Sequence, residues 1–496
     1  MSAVLAHLES ILFDPRPHRG QLALAGLLLA AALLAALLVA AAGPVLAVVI
    51  LPVLIGGILM LRDTRWGFVV LFAVIGLLPF AALPFKIGFT PTFLDVALLA
   101  LYFVWVMRIA TRRQDALVGT SLALPILVFV LLAVFAFANG LQYNPPTSTT
   151  VRGFVELLLG ILSFFLVINN LRQQADVDLL ARLIILAGAA AAVIAIVMYF
   201  IPTTWTIRIL DSLSRLNYPG GAGALRYIED DPANAMRAIG TQIDPNVAGG
   251  FLMMMAALAL PQLVSARPLF PRSLVALFLA LDVFALYLTH SRSALVGLVV
   301  AALLLGVVRY RKLVLIVALG IAALLLVPQT QAYVAHFMAG IELQDQATQM
   351  RLGEYKDAIA LITRYPWFGV GFSGSPDPSL YVGVSSVYLL MAEEMGVVGV
   401  ALFLLIVAGV LLSLARAWLR QRRDPRREAL ILGLAGAVAA GMVGGLLDHY
   451  LFNLVYPHMS TVFWILLGLG MAATSLDLDR LAAPSAGSAA RQLAPN

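Results

Sequence analysis

The sequence predicts an all-α integral membrane protein with about 12–14 transmembrane helices and two large extracytoplasmic loops. Composition points there first: of 496 residues 62% are hydrophobic and 12% charged, and the mean hydropathy is +0.97. A soluble domain is nearer half apolar and one quarter charged. The second observation is the length of the apolar runs, many of them about 18 residues or more, enough for a helix to cross the hydrocarbon. The third is an uneven division of basic residues between alternate loops.

In chain order the runs lie near 21–41, 44–61, 66–84, 92–110, 120–138, 152–170, 178–201, 246–265, 272–289, 293–309, 311–328, 396–418, 429–447 and 457–475. Only Gly43-Pro44 separates the first two, and only Arg309–Lys312 the tenth and eleventh. The first run is too long for a signal peptide and another follows at once, so no cleavable leader is expected. Assigning alternate loops to the cytoplasm puts 22 of the 32 basic residues inside, with both termini cytoplasmic. The ten outside are Lys86, Arg152, Arg208, Arg215, Arg226, Arg237, Arg292, Arg351, Lys356 and Arg364.

These spans divide the chain into N-terminal membrane helices (1–201), an outward loop (202–245), membrane helices around a central arginine turn (246–328), a larger outward loop (329–395), C-terminal membrane helices (396–475) and a cytoplasmic tail (476–496). The tail is small and polar and reads as disordered. Loops as long as these two in a compact protein carry function or disorder. In the first, Thr203–Leu216 reads as helical, Asn217–Ala224 as a Gly/Pro turn and Glu229–Pro232 as an acidic stretch. In the second, Gln344–Tyr365 reads as an amphipathic helix on the membrane surface, with Met350, Ile359, Leu361 and Ile362 alternating with charges.

The chain has no cysteine, which excludes disulfides, thiolate metal ligands and a cysteine nucleophile. It has no HExxH, no aspartate-rich repeat and no nucleotide-binding glycine pattern after a strand, so neither metal nor cofactor is expected. The net charge of +6 does not imply nucleic acid, because basic residues gather at cytoplasmic loop ends in any such protein.

Five outward pieces carry candidate chemistry. Asp244-Pro245-Asn246 opens the eighth run as an N-cap with proline in the first helical position. It is either a plain helix start or a set of backbone N–H groups offered to an anion. His290-Ser291-Arg292-Ser293 is a tight polar turn between two apolar runs. A guanidinium so close to hydrocarbon needs an anion, an acceptor cluster or water, and a snorkelling anchor is the alternative. Arginine suits bidentate phosphate contact. On the amphipathic helix, Arg351 with Glu354 and Tyr355 could be a solvated face of pairs three or four apart. The segment Tyr365–Phe372, with Gly371, ends that helix in aromatics and glycines. Glu393 and Glu394 place two carboxylates at the membrane mouth, as general base, as arginine partners, or as acids complementing a helix N-terminus. Asp448, His449 and Tyr450, with Asn453 and His458, fill the last outward loop.

The order of these pieces carries more than any one of them. An Asn246-centred helix start is followed by HSRSALVGL at 290–298, then Arg351…Tyr355…Pro366-x-x-Gly-Val-Gly371, then Tyr388-Leu…Glu394-x-Gly-x-x-Gly399. This ordered set resembles the bacterial O-antigen ligase/polymerase superfamily over roughly residues 235–475. The resemblance implies an inverting, metal-independent glycosyltransferase of the all-helical GT-C class in the bacterial cytoplasmic membrane. Its donor would be a glycan on an undecaprenyl-diphosphate carrier, and its acceptor a hydroxyl of a glycan or lipid, met on the outer face. Arg292 and Arg351, with Arg237, would then grip the diphosphate, and His290, Ser291, Ser293, Asn246, Tyr355, Gly371 and Tyr388 would belong to supporting motifs.

The chain departs from the family pattern at one point. Ligases of the family carry His-Asn shortly before the Tyr-Leu pair, and here the sequence reads Ser385-Ser386-Val387-Tyr388-Leu389. Serine does not act as a base at neutral pH without activation. Glu394 ranks first as the substitute base by motif position and Asp448 second by location, with Glu393, His449 and His290 behind them. Leaving-group activation alone, or loss of activity, are the other options. From a different class, a transporter or flippase for an anionic solute or lipid-linked sugar would also use many spans and outward arginines. Such proteins more often show repeats with broken helices at corresponding positions, and none is evident.

Overall fold

The computed structural model describes residues 59–482 apart from 61–62, 84–88, 112–116, 344 and 378. The first two expected spans, Lys86 and the tail beyond Ala482 lie outside the described residues. Each of the other twelve expected spans contains a helix. They are α1 (Thr64–Leu77), α2 (Phe93–Ala110), α3 (Ala123–Gly140), α4 (Ser148–Asn170), α5 (Gln174–Phe200), α7 (Pro245–Val264), α8 (Arg272–Thr289), α9 (Arg292–Val308), α10 (Arg311–Leu326), α13 (Val387–Gln421), α14 (Pro425–Gly444) and α15 (Pro457–Ala482). The segments expected to lie outward add α6 (Thr203–Leu213), α11 (Gln331–Ile341) and α12 (Gln346–Arg364). Among the described residues nine helices are long and apolar enough to cross a membrane, and α1 and α9 are shorter apolar helices. The protein is an all-α polytopic membrane protein.

Local sequence sets the helix ends. Asp63, Asp244, Asp345 and Asp424 each cap a helix N-terminus with a carboxylate, and Thr92 and Asp95 form a capping box at α2. The run expected over 66–84 stops at Leu77, with Pro79 just beyond. Extended chain follows, and Ala82 bridges Thr92 there. The first outward loop also holds a feature that the sequence reading missed, a hairpin of two-residue strands, β1 (Arg226–Tyr227) and β2 (Met236–Arg237), with Arg226 opposite Arg237.

The hub is α7, most of which is buried, and it packs against α5, α8, α9 and α14. Gly249 and Gly250 near its start make two close approaches possible. A Cβ at 249 would sit 2.7 Å from the Ser291 Cβ, and one at 250 would run into the Tyr450 ring. The arginine turn and the last outward loop therefore meet on this glycine pair.

A second construction shapes the same end of the bundle. The span expected at 396–418 is the second segment of a longer helix, α13, broken at Gly396 with φ 70° and ψ −179°. The break strips the Glu393 and Glu394 carbonyls of helical partners, and in hydrocarbon such groups must find others. The strap Pro366–Gly371 supplies them. Val370 N–H donates to the Glu393 carbonyl at 2.7 Å and Gly371 N–H to the Glu394 carbonyl at 3.0 Å. In return Val397 N–H donates to the Pro366 carbonyl at 2.8 Å. Gly369 has φ +68°, and a Cβ there would collide with the Glu393 carbonyl and the Glu394 backbone. Two sequence motifs about 25 residues apart are thus halves of one joint.

Gly369→Ala should cost roughly 2 kcal/mol or more, from positive-φ strain plus the backbone collision. Thermal unfolding of the detergent-solubilised protein measures this, and an unchanged midpoint would contradict the joint.

Candidate functional site

Ion pairs gather at the two ends of the bundle. At one end Arg65 pairs with Asp176, Arg426 with Asp178 at 2.7 Å, and Arg309 with Glu428 at 2.7 Å. At the other, three arginines converge from three segments. Arg237 ends β2, Arg292 is the first residue of α9, and Arg351 lies in the second turn of α12. Arg237 is within electrostatic reach of Arg292, Arg351, Asp244 and Asp448. Burial pushes its guanidinium below the usual arginine range, with Asp244 and Asp448 opposing that.

Each arginine is held differently. Arg237 Nε donates to the Thr289 carbonyl at 2.8 Å, and its Nη2 donates to Asn246 Oδ1 at 2.7 Å. Asn246 therefore orients an arginine. The anion-cradle reading of this helix start loses its donors, because Asp244 Oδ1 already takes the N–H groups of Asn246 and Val247. Arg292 does not snorkel. Its side chain is 15% exposed and its Nη2 meets Asp345 Oδ2 at 2.7 Å, a carboxylate only 1% exposed. Burial would raise the Asp345 carboxyl, but hydrogen bonds from Arg292 and Thr348 hold it down at about 2. Arg351 makes no side-chain hydrogen bond or ion pair among the described residues. The expected Arg351–Glu354 pair does not form. Glu354 instead accepts the Ser385 N–H at 2.9 Å.

The supporting residues of the turn have local duties. His290 is the left-handed C-cap of α8 with φ 53°, and its ring lies 5.1 Å from that of Tyr333. Ser291 and Ser293 share a hydroxyl hydrogen bond of 3.2 Å, and Ser291 packs on Gly249. Tyr388 donates to the Met442 carbonyl at 2.7 Å, the Tyr355 hydroxyl lies 3.5 Å from the Ser385 carbonyl, and Gly371 belongs to the strap.

The four carboxylate and imidazole candidates separate spatially. Glu393 and Glu394 are buried where the first segment of α13 ends, just before the break at Gly396. Glu393 Oε2 takes the Gly383 N–H at 3.4 Å, and neither glutamate pairs with an arginine among the described residues. Asp448 lies nearer the arginines. Its Oδ1 takes the His449 N–H at 2.9 Å, and its buried Oδ2 has no partner among the described residues. Its carbonyl accepts the Val387 N–H at 3.1 Å, which sets it against the Ser385–Ser386 pair. Burial pushes the Asp448 carboxyl upward, while His449 and Arg351 oppose the shift. His449 Nδ1 is 3.8 Å from Asp448 Oδ1, beyond hydrogen-bond range. Sequence reasoning missed Asp345 as part of the site, and it read Asp244 as a helix cap and Glu354 as a partner for Arg351 rather than for the Ser385 N–H. The capping position of Asp345 was the available sign, but nothing in the sequence tied it to Arg292.

Directly below Arg292 a cavity of about 330 Å³ runs between α9, α10 and α11. Its lining is apolar apart from Tyr333, with Val296, Val300, Ile321, Leu325, Phe337 and Met338 among it. Leu295 and Val296 follow Arg292 by three and four residues, so cation and groove share a helix face. The arrangement can hold a polyanionic headgroup at the arginines with an attached apolar chain beneath.

Residues 275–404 match the protein family described as O-antigen ligase. The matched stretch takes in the arginine turn, α12, the strap and the break in α13, and stops short of Arg237, Asn246 and Asp448. The resemblance seen in the motifs is borne out there. No curated protein matches the chain.

Asp345→Asn should destabilise the protein by on the order of 3 kcal/mol, because it leaves the Arg292 charge without its carboxylate. The Asp345 carboxyl is held below its ordinary 3.8 at about 2, so its contribution is complete above the unfolded value and is lost as pH falls through the folded one. The difference in melting temperature between wild type and variant should be flat from about pH 5 to 8 and shrink below about pH 4. A difference that vanishes near neutral pH would refute the ion pair.

Proposed function

With residues 275–404 resembling an O-antigen ligase, we propose that this protein is a glycosyltransferase of the bacterial cytoplasmic membrane. It moves a glycan from an undecaprenyl-diphosphate carrier to an acceptor hydroxyl at the outer face. The observation that carries this reading is the convergence of Arg237, Arg292 and Arg351 around Asp448, directly above an apolar groove.

Transfer at the anomeric carbon expels a lipid diphosphate. As the carbon–oxygen bond to phosphate breaks, negative charge grows on the leaving oxygen, and fixed cations there lower the barrier. Arg351 is suited to this because no protein carboxylate among the described residues occupies it. Arg237 has Nε and Nη2 committed to protein oxygens, so its orientation is set before the donor arrives. The polyprenyl chain lies along the groove between α9, α10 and α11.

The acceptor hydroxyl attacks from the face opposite the diphosphate, which inverts the anomeric centre, and its proton passes to Asp448 Oδ2. That oxygen is buried and has no hydrogen bond among the described residues, and the raised affinity of the carboxyl for a proton suits a base. Asp448 sits against Ser385–Ser386, where family ligases carry His-Asn, so the substitute base enters from a different segment at nearly the same place. This order puts Asp448 ahead of Glu394. His449 adjoins Asp448, while Glu393 and Glu394 lie apart from it at the break in α13.

Arg351→Ala should lower kcat by about 10²–10³ while leaving the fold intact, since no structural partner is lost. Asp448→Asn should cost about 10²–10⁴ in rate with donor binding retained. Both are read from release of carrier by purified protein given undecaprenyl-diphosphate oligosaccharide and an acceptor glycan. Full activity in Arg351→Ala would sink the diphosphate role, and full activity in Asp448→Asn would return the base to Glu394.

A further inference from the structure

The end of the bundle opposite the arginine turn holds a larger cavity, of about 870 Å³. Five cations line it: Arg272, Arg309, Arg311, Lys312 and Arg422. One nearby carboxylate, Glu428, serves them, and it is already shared between Arg309 at 2.7 Å and the Trp418 indole N–H at 3.2 Å. Three of the cations are fixed. Arg309 is held by Glu428, Arg272 Nη2 donates to the Ser265 carbonyl at 2.9 Å, and the Arg422 guanidinium stacks 4.2 Å over the Trp418 ring. The side chains of Arg311 and Lys312 have no hydrogen bond or ion pair among the described residues.

The placement of these cations is electrostatically unfavourable in the protein alone. Arg272 is the first residue of α8, and Arg311 and Lys312 are the first two of α10. A helix N-terminus carries the positive end of the macrodipole, where acids are favoured and bases are not. Two such ends and five cations face one space, so a bound anion would relieve repulsion that Glu428, paired with Arg309, offsets only in part. The rest of the lining is not what a small hydrated anion needs. Leu263, Val264, Val307 and Val308 form an aliphatic wall, and Val307, 77% exposed, lies at its edge.

We propose that this cavity binds the headgroup of an acidic phospholipid, with its phosphate against Arg311 and Lys312 and its glycerol and upper acyl carbons on the valine–leucine wall. The site is independent of the transfer site and of the reading given for it. It lies at the far membrane face, and none of its residues contributes to the arginine cluster around Asp448. A phosphate held between α8, α9, α10 and the end of α13 joins helices that otherwise repel each other there.

The test uses the full chain, purified in detergent and titrated with diphosphatidylglycerol, with phosphatidylcholine or with inorganic phosphate, reading lipid retention by native mass spectrometry and thermal shift. Diphosphatidylglycerol should be retained and should raise the melting temperature. Arg311→Gln and Lys312→Gln should each weaken its binding roughly fivefold, the value of one cation at an acidic headgroup. Arg423→Gln, an exposed cation of the same face outside the cavity, should change binding little. The proposal is overturned if phosphatidylcholine is retained equally, or if Arg423→Gln weakens binding as much as the cavity variants. It is also overturned if inorganic phosphate alone reproduces the shift, which would make this a soluble-anion site.

Discussion

A guanidinium at the head of a half-buried apolar helix is the constraint around which one end of this protein is organised. Arg292 begins α9 beside hydrocarbon, and Asp345 answers it from the cap of α12. Desolvating both charges is costly, and only close, well-bonded geometry compensates. Thr348 completes that geometry by donating to the same carboxylate. The pair therefore fixes where α12 begins, and through α12 it fixes Arg351, Glu354 and Tyr355. Glu354 in turn holds the Ser385 N–H, which positions the entry to α13. One ion pair thus propagates through a helix and a loop to the residues around the proposed acceptor.

The proposed chemistry divides labour among cations according to how much the protein uses them. Arg292 is largely structural, Arg237 is oriented by Asn246 and a carbonyl, and Arg351 is left for a ligand. Such a gradient keeps the site charged without collapse, because Arg351 is not neutralised by a carboxylate among the described residues. Asp448 fits the same economy. It is close enough to Arg351 to feel it, yet retains an oxygen with no partner. The apolar groove below adds the feature that separates a lipid-linked donor from a soluble nucleotide sugar.

Much of the fold was legible in the sequence because hydrocarbon imposes a length rule, and twelve of the expected spans contain helices in the described structure. The arginine turn was legible for the same reason, as a charge where none should be. Its partner was not, because Asp345 lies 53 residues on, in a segment with several acids, and only tertiary structure chooses among them. The short β-hairpin escaped notice since two-residue strands show no alternation. Glu394 and Gly396 stood out as a motif, but their main-chain role did not, since sequence patterns advertise side chains. Asp448 was visible yet ranked second, because its nearness to Ser385–Ser386 runs through a backbone contact with Val387.

The broken helix has a consequence for biogenesis. While the nascent chain emerges in order, the strap at Pro366–Gly371 is made before the carbonyls of Glu393 and Glu394 that it must satisfy. The first segment of α13 is therefore unable to rest in lipid as an independent insertion unit, since its end would carry bare carbonyls. It enters as a hairpin with a preformed docking strip, and membrane integration and loop folding become one event. Insertion machinery that releases helices singly would have to hold this one until it docks on the strap already made, and that links the assembly of the proposed site to the moment the helix leaves the translocon.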